Sequence, residues 1–246
     1  MMGWLRNPGR VAGLWYLATV FVGPVRLIFI PDIVDGPDAS AMARALLANE
    51  TLVRVGMASE VVGALVLIML VTAFWRLFEG VDRSLSRLML IFGGVMPALL
   101  LMLGPVFDGG ALMVAGNRHD FFNALAPAQR DALAAAVFRL HDQEVTAAEM
   151  LWGVWLFPLA ALIWKSRLLP RFLALWLAAG GVAYVALCLI GLIAPQGYGL
   201  AFTITQPFRL GELALTLWLL VRGAGRAQTG PPASAAGADA GGTRGL

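Results

Sequence analysis

The sequence predicts an all-α fold, a polytopic membrane protein built as a bundle of six transmembrane helices. Three observations carry that prediction. Hydrophobic residues make up 59% of the 246-residue chain and charged residues 13%, with a positive mean hydropathy, a balance outside the range of soluble domains. The apolar residues fall in continuous runs of about 20 and do not alternate, which fits spanning helices and disfavours a β-barrel. The arginines gather mostly in short connectors beside those runs.

Residues 11–30 form the first run, preceded by "MMGWLRNPGR", which has the charged start of a secretory signal. No small-x-small cleavage site follows its apolar part, so it is read as a retained first span. Residues 31–50 are acidic and turn-rich at first, then compatible with a short amphipathic helix through Met42, Leu46 and Leu47. Residues 53–78 and 85–107 supply spans two and three. In the segment 108–145, "APAQRDALAAAVFRL" places Pro127 in a helical first turn and sets Leu133, Val137, Phe138 and Leu140 on one face. This is a short extra-cytoplasmic helical segment between spans three and four, lying on the surface as a cap or running straight into the fourth span. Residues 146–164, 172–193 and 202–221 complete the six. From residue 224 the chain is Ala/Gly/Pro-rich with almost nothing apolar enough to pack. The expected division is a six-span transmembrane domain over 1–223 and a disordered cytoplasmic tail over 224–246.

Basic residues set the orientation. Arg76, Arg83 and Arg87 in one connector and Lys165, Arg167 and Arg171 in another fall on the same side as Arg6, Arg10 and Arg222. Both termini are therefore expected in the cytoplasm, with the chain multi-pass in a bacterial cytoplasmic (inner) membrane. The pI near 9.6 reflects this topology. No basic face or nucleic-acid motif accompanies it, so the expected partner is the lipid bilayer and not nucleic acid. Cys188 is the single cysteine, which excludes a disulfide framework and a paired-thiol metal site.

Helical rise converts sequence offset into depth. Arg26, Glu60 and Glu149 each stand fifteen residues from the inner ends of their spans at Val11, Trp75 and Trp164; Arg209 and Glu212 stand twelve and nine from Val221. All five lie roughly 14 to 23 Å above the inner boundary of a core about 30 Å thick. Charges at such depth are costly and normally face the bundle interior with a partner. Arg209 and Glu212, three residues apart, can pair within one helix, and Arg26 is the natural partner for Glu60 on the next. Gly56, Glu60 and Gly63 form a stripe that lets a neighbouring helix come close. Two arginines cannot neutralise three glutamates, and Glu149 is left over; Arg139, Trp152 or Tyr184 are the alternatives that would satisfy it.

His141, Asp142 and Glu149 stack along one face of the fourth helix and lead from the surface inward. They are the candidate catalytic residues. As a metal site the pattern is weak, because the usual second histidine is missing and His119 is the only other one, so no metal is expected. No phosphate loop, nucleophile elbow or paired-histidine zinc signature points to a cofactor. The shared Glu-to-Trp spacing of Glu60/Trp75 and Glu149/Trp164, with "GG" at Gly93 and Gly180, hints at a repeated helix pair.

"GRVAGLWYLATVFVGP" at the start, "WLFPLAALIWKSRLLPRFLALWLAAGGVAYV" in the middle and "GELALTLWLLVRG" at the end resemble the bacterial membrane family known as domain of unknown function 4386. The resemblance covers roughly residues 10–223 and implies a six-helix membrane protein without an assigned activity. Three functions follow as expectations. The first is a non-enzymatic bundle whose buried charges hold it together and bind a lipid or small amphiphile. The second is an intramembrane enzyme, metal-assisted in one form, with Glu149 as acid or base and His141, Asp142 and Glu144 near the substrate head group. The third is a proton-coupled transporter using Glu60, Glu149 and Glu212.

Overall fold

Hydrocarbon cannot satisfy backbone N–H and C=O groups, which a helix pairs within one segment, and every regular element among the described residues is a helix. The computed structural model describes residues 7–23, 26 and 30–225; the stretch 226–246 of the predicted tail lies outside the described residues. Helix α1 (Pro8–Val22) begins at Asn7, whose side-chain oxygen accepts from the Gly9 and Arg10 N–H groups, with Pro8 in the first turn. Two short helices follow, α2 (Ile30–Val34) and α3 (Ala39–Ala48), the second capped by Asp38. Helix α4 (Glu50–Phe78) is a continuous rod of 29 residues.

The third apolar run is not one regular helix. It proceeds as α5 (Arg83–Leu90), a π turn at Ile91–Val95, α6 (Met96–Leu101) and, after a break at residues 102–103, α7 (Gly104–Ala115). At Gly93 an added Cβ would stand 2.6 Å from the Trp155 ring, so hydrogen alone lets the indole seat against this turn. The widened turn marks where the helix yields to that contact.

Helix α8 (Pro127–Val154) continues almost directly into α9 (Leu156–Ser166), making a run of 40 residues. At about 1.5 Å per residue it is about 60 Å long, roughly twice the hydrocarbon thickness. The expected surface segment and the fourth span are thus one helix, the second of the two arrangements open in the sequence. Arg167, in the left-handed conformation with φ 55°, stops it. Helices α10 (Arg171–Ile193) and α11 (Tyr198–Val221) complete the fold.

Among the described residues, four runs are long and apolar enough to cross a membrane: Glu50–Phe78, Arg83–Ala115, Pro127–Ser166 and Arg171–Ile193. Helix α11 is long enough at 24 residues, but Gln206, Arg209 and Glu212 dilute its apolar character. Many large apolar side chains face outward, including Leu65, Leu99, Val106 and Ile193, and solvent-exposed patches on this scale are uncommon in soluble monomers.

Two apolar cores stand one above the other. One gathers Tyr16, Phe74, Phe78, Trp155, Leu159, Leu177 and Leu215 from α1, α4, α9, α10 and α11. The other gathers Ile30, Leu46, Val53, Leu112, Phe122 and Phe138 where α3, α7 and the first half of α8 meet. The two Gly-Gly pairs serve different contacts: Gly93 admits an indole, whereas Gly180 admits the α11 backbone at Phe208. That difference argues against equivalent halves. The connector end is tied by Lys165 Nζ, which donates to Asp82 at 2.7 Å. This contact and the capping N–H groups of Leu85 and Ser84 hold the Asp82 carboxyl below the usual aspartate range.

The bundle closes through Gly225, two residues past the boundary expected at Gly223. Asn7 Nδ2 donates to the Ala224 carbonyl at 2.9 Å, the Ala224 N–H returns a bond to Asn7 Oδ1, and the Gly225 N–H reaches the Leu168 carbonyl.

Candidate functional site

Between the two apolar cores lies a charged layer. Arg26, Glu60, Asp108, His141 and Glu144 are all buried there, the first four contributed by different segments of the chain. The fold requires them to meet: α4 carries Glu60 between Val53 of one core and Leu70 of the other, α7 carries Asp108, and α8 brings His141 and Glu144 round one face. The small-residue stripe works as expected, since Gly56 lies against the Arg26 and Ile30 side chains.

The pairing differs from the expected one. Arg26 does not bond Glu60 but forms a fork with Asp108, Nε to Oδ2 at 2.5 Å and Nη2 to Oδ1 at 2.9 Å. A planar guanidinium and a carboxylate favour this two-bond geometry. Its guanidinium also lies over the Phe138 ring, 4.8 Å from the centroid. Glu60 instead faces His141, Oε1 to Nε2 at 2.9 Å, while His141 Nδ1 stands 3.2 Å from Asp108 Oδ1. The Nε2 contact is close but poorly directed, so Nε2, Glu60 Oε2 and Glu144 Oε1 have no hydrogen-bond partner among the described residues. Gly104 forms the floor; a Cβ there would meet His141 Cε1 at 2.6 Å and Glu60 Oε2 at 2.7 Å.

Glu149, Arg209 and Glu212 are elsewhere. Glu149 is buried, but it is not without a partner: Tyr198 donates to Oε1 at 2.6 Å, and neither Arg139, Trp152 nor Tyr184 bonds it. Arg139 is engaged with Asp35 and Asp142, which leaves Asp142 half-exposed outside the charged layer. The expected Arg209–Glu212 pair does not form. Tyr16 of α1 donates to Glu212 Oε2 at 2.5 Å, and Arg209 turns over the faces of Phe202 and Tyr184, at 4.1 and 5.5 Å. Aromatic faces attract a guanidinium strongly where water is scarce. Arg209 Nε and Nη2 are buried without hydrogen-bond partners among the described residues.

Two cavities flank these groups. One, of about 330 Å³, is lined by Arg26, Pro31, His141, Asp142, Thr146 and Tyr198. The other, of about 570 Å³, is mostly apolar. Tyr16, Trp152, Trp155, Tyr184 and Leu70 line it, Arg209 and Glu212 supply its polar wall, and Val20, Leu210 and Leu213 are exposed at its margin. Both volumes fall in the range of small-molecule sites.

Sequence reasoning missed Asp108, Glu144's place in the buried layer, Gly104 and Tyr198. Asp108 follows Phe107 directly and precedes a second apolar stretch, "ALMVAG", which marks it as buried and not as the start of an outer loop. Glu144 lies three residues after His141, the spacing that shares a helix face.

A family model described as Domain of unknown function (DUF4386) matches residues 11–223. No curated protein and no solved structure matches the chain.

Proposed function

We propose, for a chain that belongs to the domain of unknown function 4386 family, that it is a non-enzymatic bacterial membrane protein that takes an anionic lipid or small amphiphile into the 570 Å³ chamber. The observation that carries this reading is Arg209. Its guanidinium stands at the wall of an apolar chamber with two buried donors unused among the described residues. Buried donors cost free energy until an acceptor is supplied, of order 1–3 kcal/mol for each such group. A carboxylate or phosphate head group supplies it, and the aromatic lining accepts an acyl chain. Val20 on α1 and Leu210 and Leu213 on α11 make the margin apolar and outward-facing, which suits passage of a chain from hydrocarbon.

In this reading α1 and α11 join the four more apolar runs as six spans, and both ends of the bundle's chain face the cytoplasm of the inner membrane. Reporter fusions after Gly80 and Arg167 should read cytoplasmic and one at Asn117 extra-cytoplasmic. Alkaline phosphatase activity from the Arg167 fusion would rule the topology out.

The binding reading is tested by native mass spectrometry of protein purified in mild detergent and offered phosphatidylglycerol or phosphatidylcholine. Wild type should retain the anionic lipid in preference, and Arg209→Gln should lose that preference by about tenfold or more, the loss expected for one charge-assisted contact of about 1.5–3 kcal/mol. Equal retention by the two proteins sinks the proposal. An enzymatic role for Glu149 has less support, since it lines neither cavity.

A further inference from the structure

We propose that Glu60, Asp108 and His141, with Glu144 beside them, form a binding site for one divalent first-row transition-metal ion. The site stands apart from the amphiphile chamber and does not depend on it. One ligand atom from each of Glu60, Asp108 and His141 can be chosen so that all lie within 4.8 Å of one another. Metal–oxygen and metal–nitrogen bonds of about 2.0–2.2 Å place ligand atoms no more than about 4.4 Å apart across an ion. Small side-chain rotations close that gap.

Charge gives a second reason. Three buried carboxyl groups, those of Glu60, Asp108 and Glu144, share the layer with His141 and one permanently charged cation, Arg26. Carboxylates away from water are severely unfavourable unless they are compensated. A divalent cation supplies that compensation.

Three buried polar atoms also lack hydrogen-bond partners among the described residues: Glu60 Oε2, His141 Nε2 and Glu144 Oε1. Glu60 Oε2 and the His141 ring converge over Gly104, where no side chain intervenes. Each His141 nitrogen has a carboxylate within reach, Asp108 at Nδ1 and Glu60 at Nε2. Nδ1 can therefore bind the ion beside Asp108 while Glu60 holds Nε2 through Oε1, orienting the ring, and turns its unpartnered Oε2 to the ion. Arg26, clamped on Asp108, holds that carboxylate in place. The 330 Å³ cavity lined by His141 and Asp142 gives an ion its approach.

The donor set names the class. Imidazole with carboxylates suits zinc, manganese or ferrous iron, whereas magnesium and calcium prefer oxygen alone and copper(I) prefers sulfur. The missing second histidine argued against such a site in the sequence; carboxylates on separate helices take its place.

Full-length protein, purified in detergent, would be equilibrated with zinc chloride or manganese chloride and freed of excess, then assayed by inductively coupled plasma mass spectrometry. Wild type should retain about one equivalent and melt higher with metal than with chelator. Glu60→Gln and His141→Gln should each retain about a tenth or less, and Glu144→Gln should bind about tenfold or more weakly. Elution as a single detergent-solubilised species checks that the variants fold. Should His141→Gln not fold, Glu60→Gln and the chelator-dependent melting of wild type decide the matter. Wild type with about a tenth of an equivalent or less overturns the proposal, as does wild-type stoichiometry in Glu60→Gln.

Discussion

At the scale of single residues the Arg26–Asp108 pair dominates. Both side chains are essentially inaccessible, and the fork bonds leave the guanidinium and the carboxylate dependent on each other. Removing one member of a buried pair strands the other and costs about 3–5 kcal/mol, more than the pair contributes over an apolar replacement. Arg26→Met and Asp108→Leu should each lower thermal stability in detergent strongly, and the double variant should lose clearly less than the sum. Additive losses would show that the two are not coupled. Helical depth alone was enough to place Arg26 and Glu60 in one layer, because rise per residue is nearly invariant. It could not choose partners. Asp108 was hidden behind the end of an apolar window, and it reaches the layer on α7, which follows a π turn and a break in the third run. The Arg209–Tyr184 contact and the Tyr16–Glu212 bond are equally invisible in sequence, since each joins two different helices.

At the scale of elements, apolar length was legible and irregularity was not. Runs read as 53–78 and 172–193 correspond to Glu50–Phe78 and Arg171–Ile193, whose ends are set by short polar connectors. The 85–107 run gave no sign of its π turn, because that distortion arises from a partner: Trp155, at the junction of α8 and α9, seats on Gly93. Gly93→Ala would press a methyl group onto the indole, and overpacking of this kind costs about 1–3 kcal/mol. Shortening the ring in Trp155→Phe should recover part of that loss. The expected result is a lower melting temperature for Gly93→Ala in wild type than the same change produces in the Trp155→Phe background. Equal shifts in both backgrounds would mean that the π turn has another cause. Because Gly93 and Trp155 also line the larger cavity, retention of the anionic lipid should weaken alongside stability in Gly93→Ala.

At the scale of the whole molecule, the chain is closed on itself by a clasp at the edge of the first apolar core, to which Leu168 and Ala224 belong. Asn7 caps α1 and at the same time exchanges two bonds with Ala224, while the Gly225 N–H bonds Leu168 in the connector before α10. Three parts of the sequence are thereby fastened at one end of the bundle: the start of α1, the end of α11 and the α9–α10 connector. Gly223 makes the turn possible. Its φ of 73° lies where side chains are disfavoured, and a Cβ would stand 2.7 Å from Asn7 Oδ1. Composition drew the boundary of the domain at Gly223, since small residues carry little apolar surface; Ala224 is nevertheless buried, at 8% exposure, packed in the first core against Gly9. Truncation after Gly225 should therefore leave the melting temperature of the detergent-solubilised protein unchanged. Truncation after Gly223 removes all three bonds, and at about 0.5–1.5 kcal/mol net for each it should lower stability by about 2–4 kcal/mol. Asn7→Ala should approach that loss by itself, because it also uncaps α1 at about 1 kcal/mol. If the two truncations melt together, the clasp does not contribute to holding the ends of the bundle, and α1 and α11 are kept in place by their side-chain packing alone.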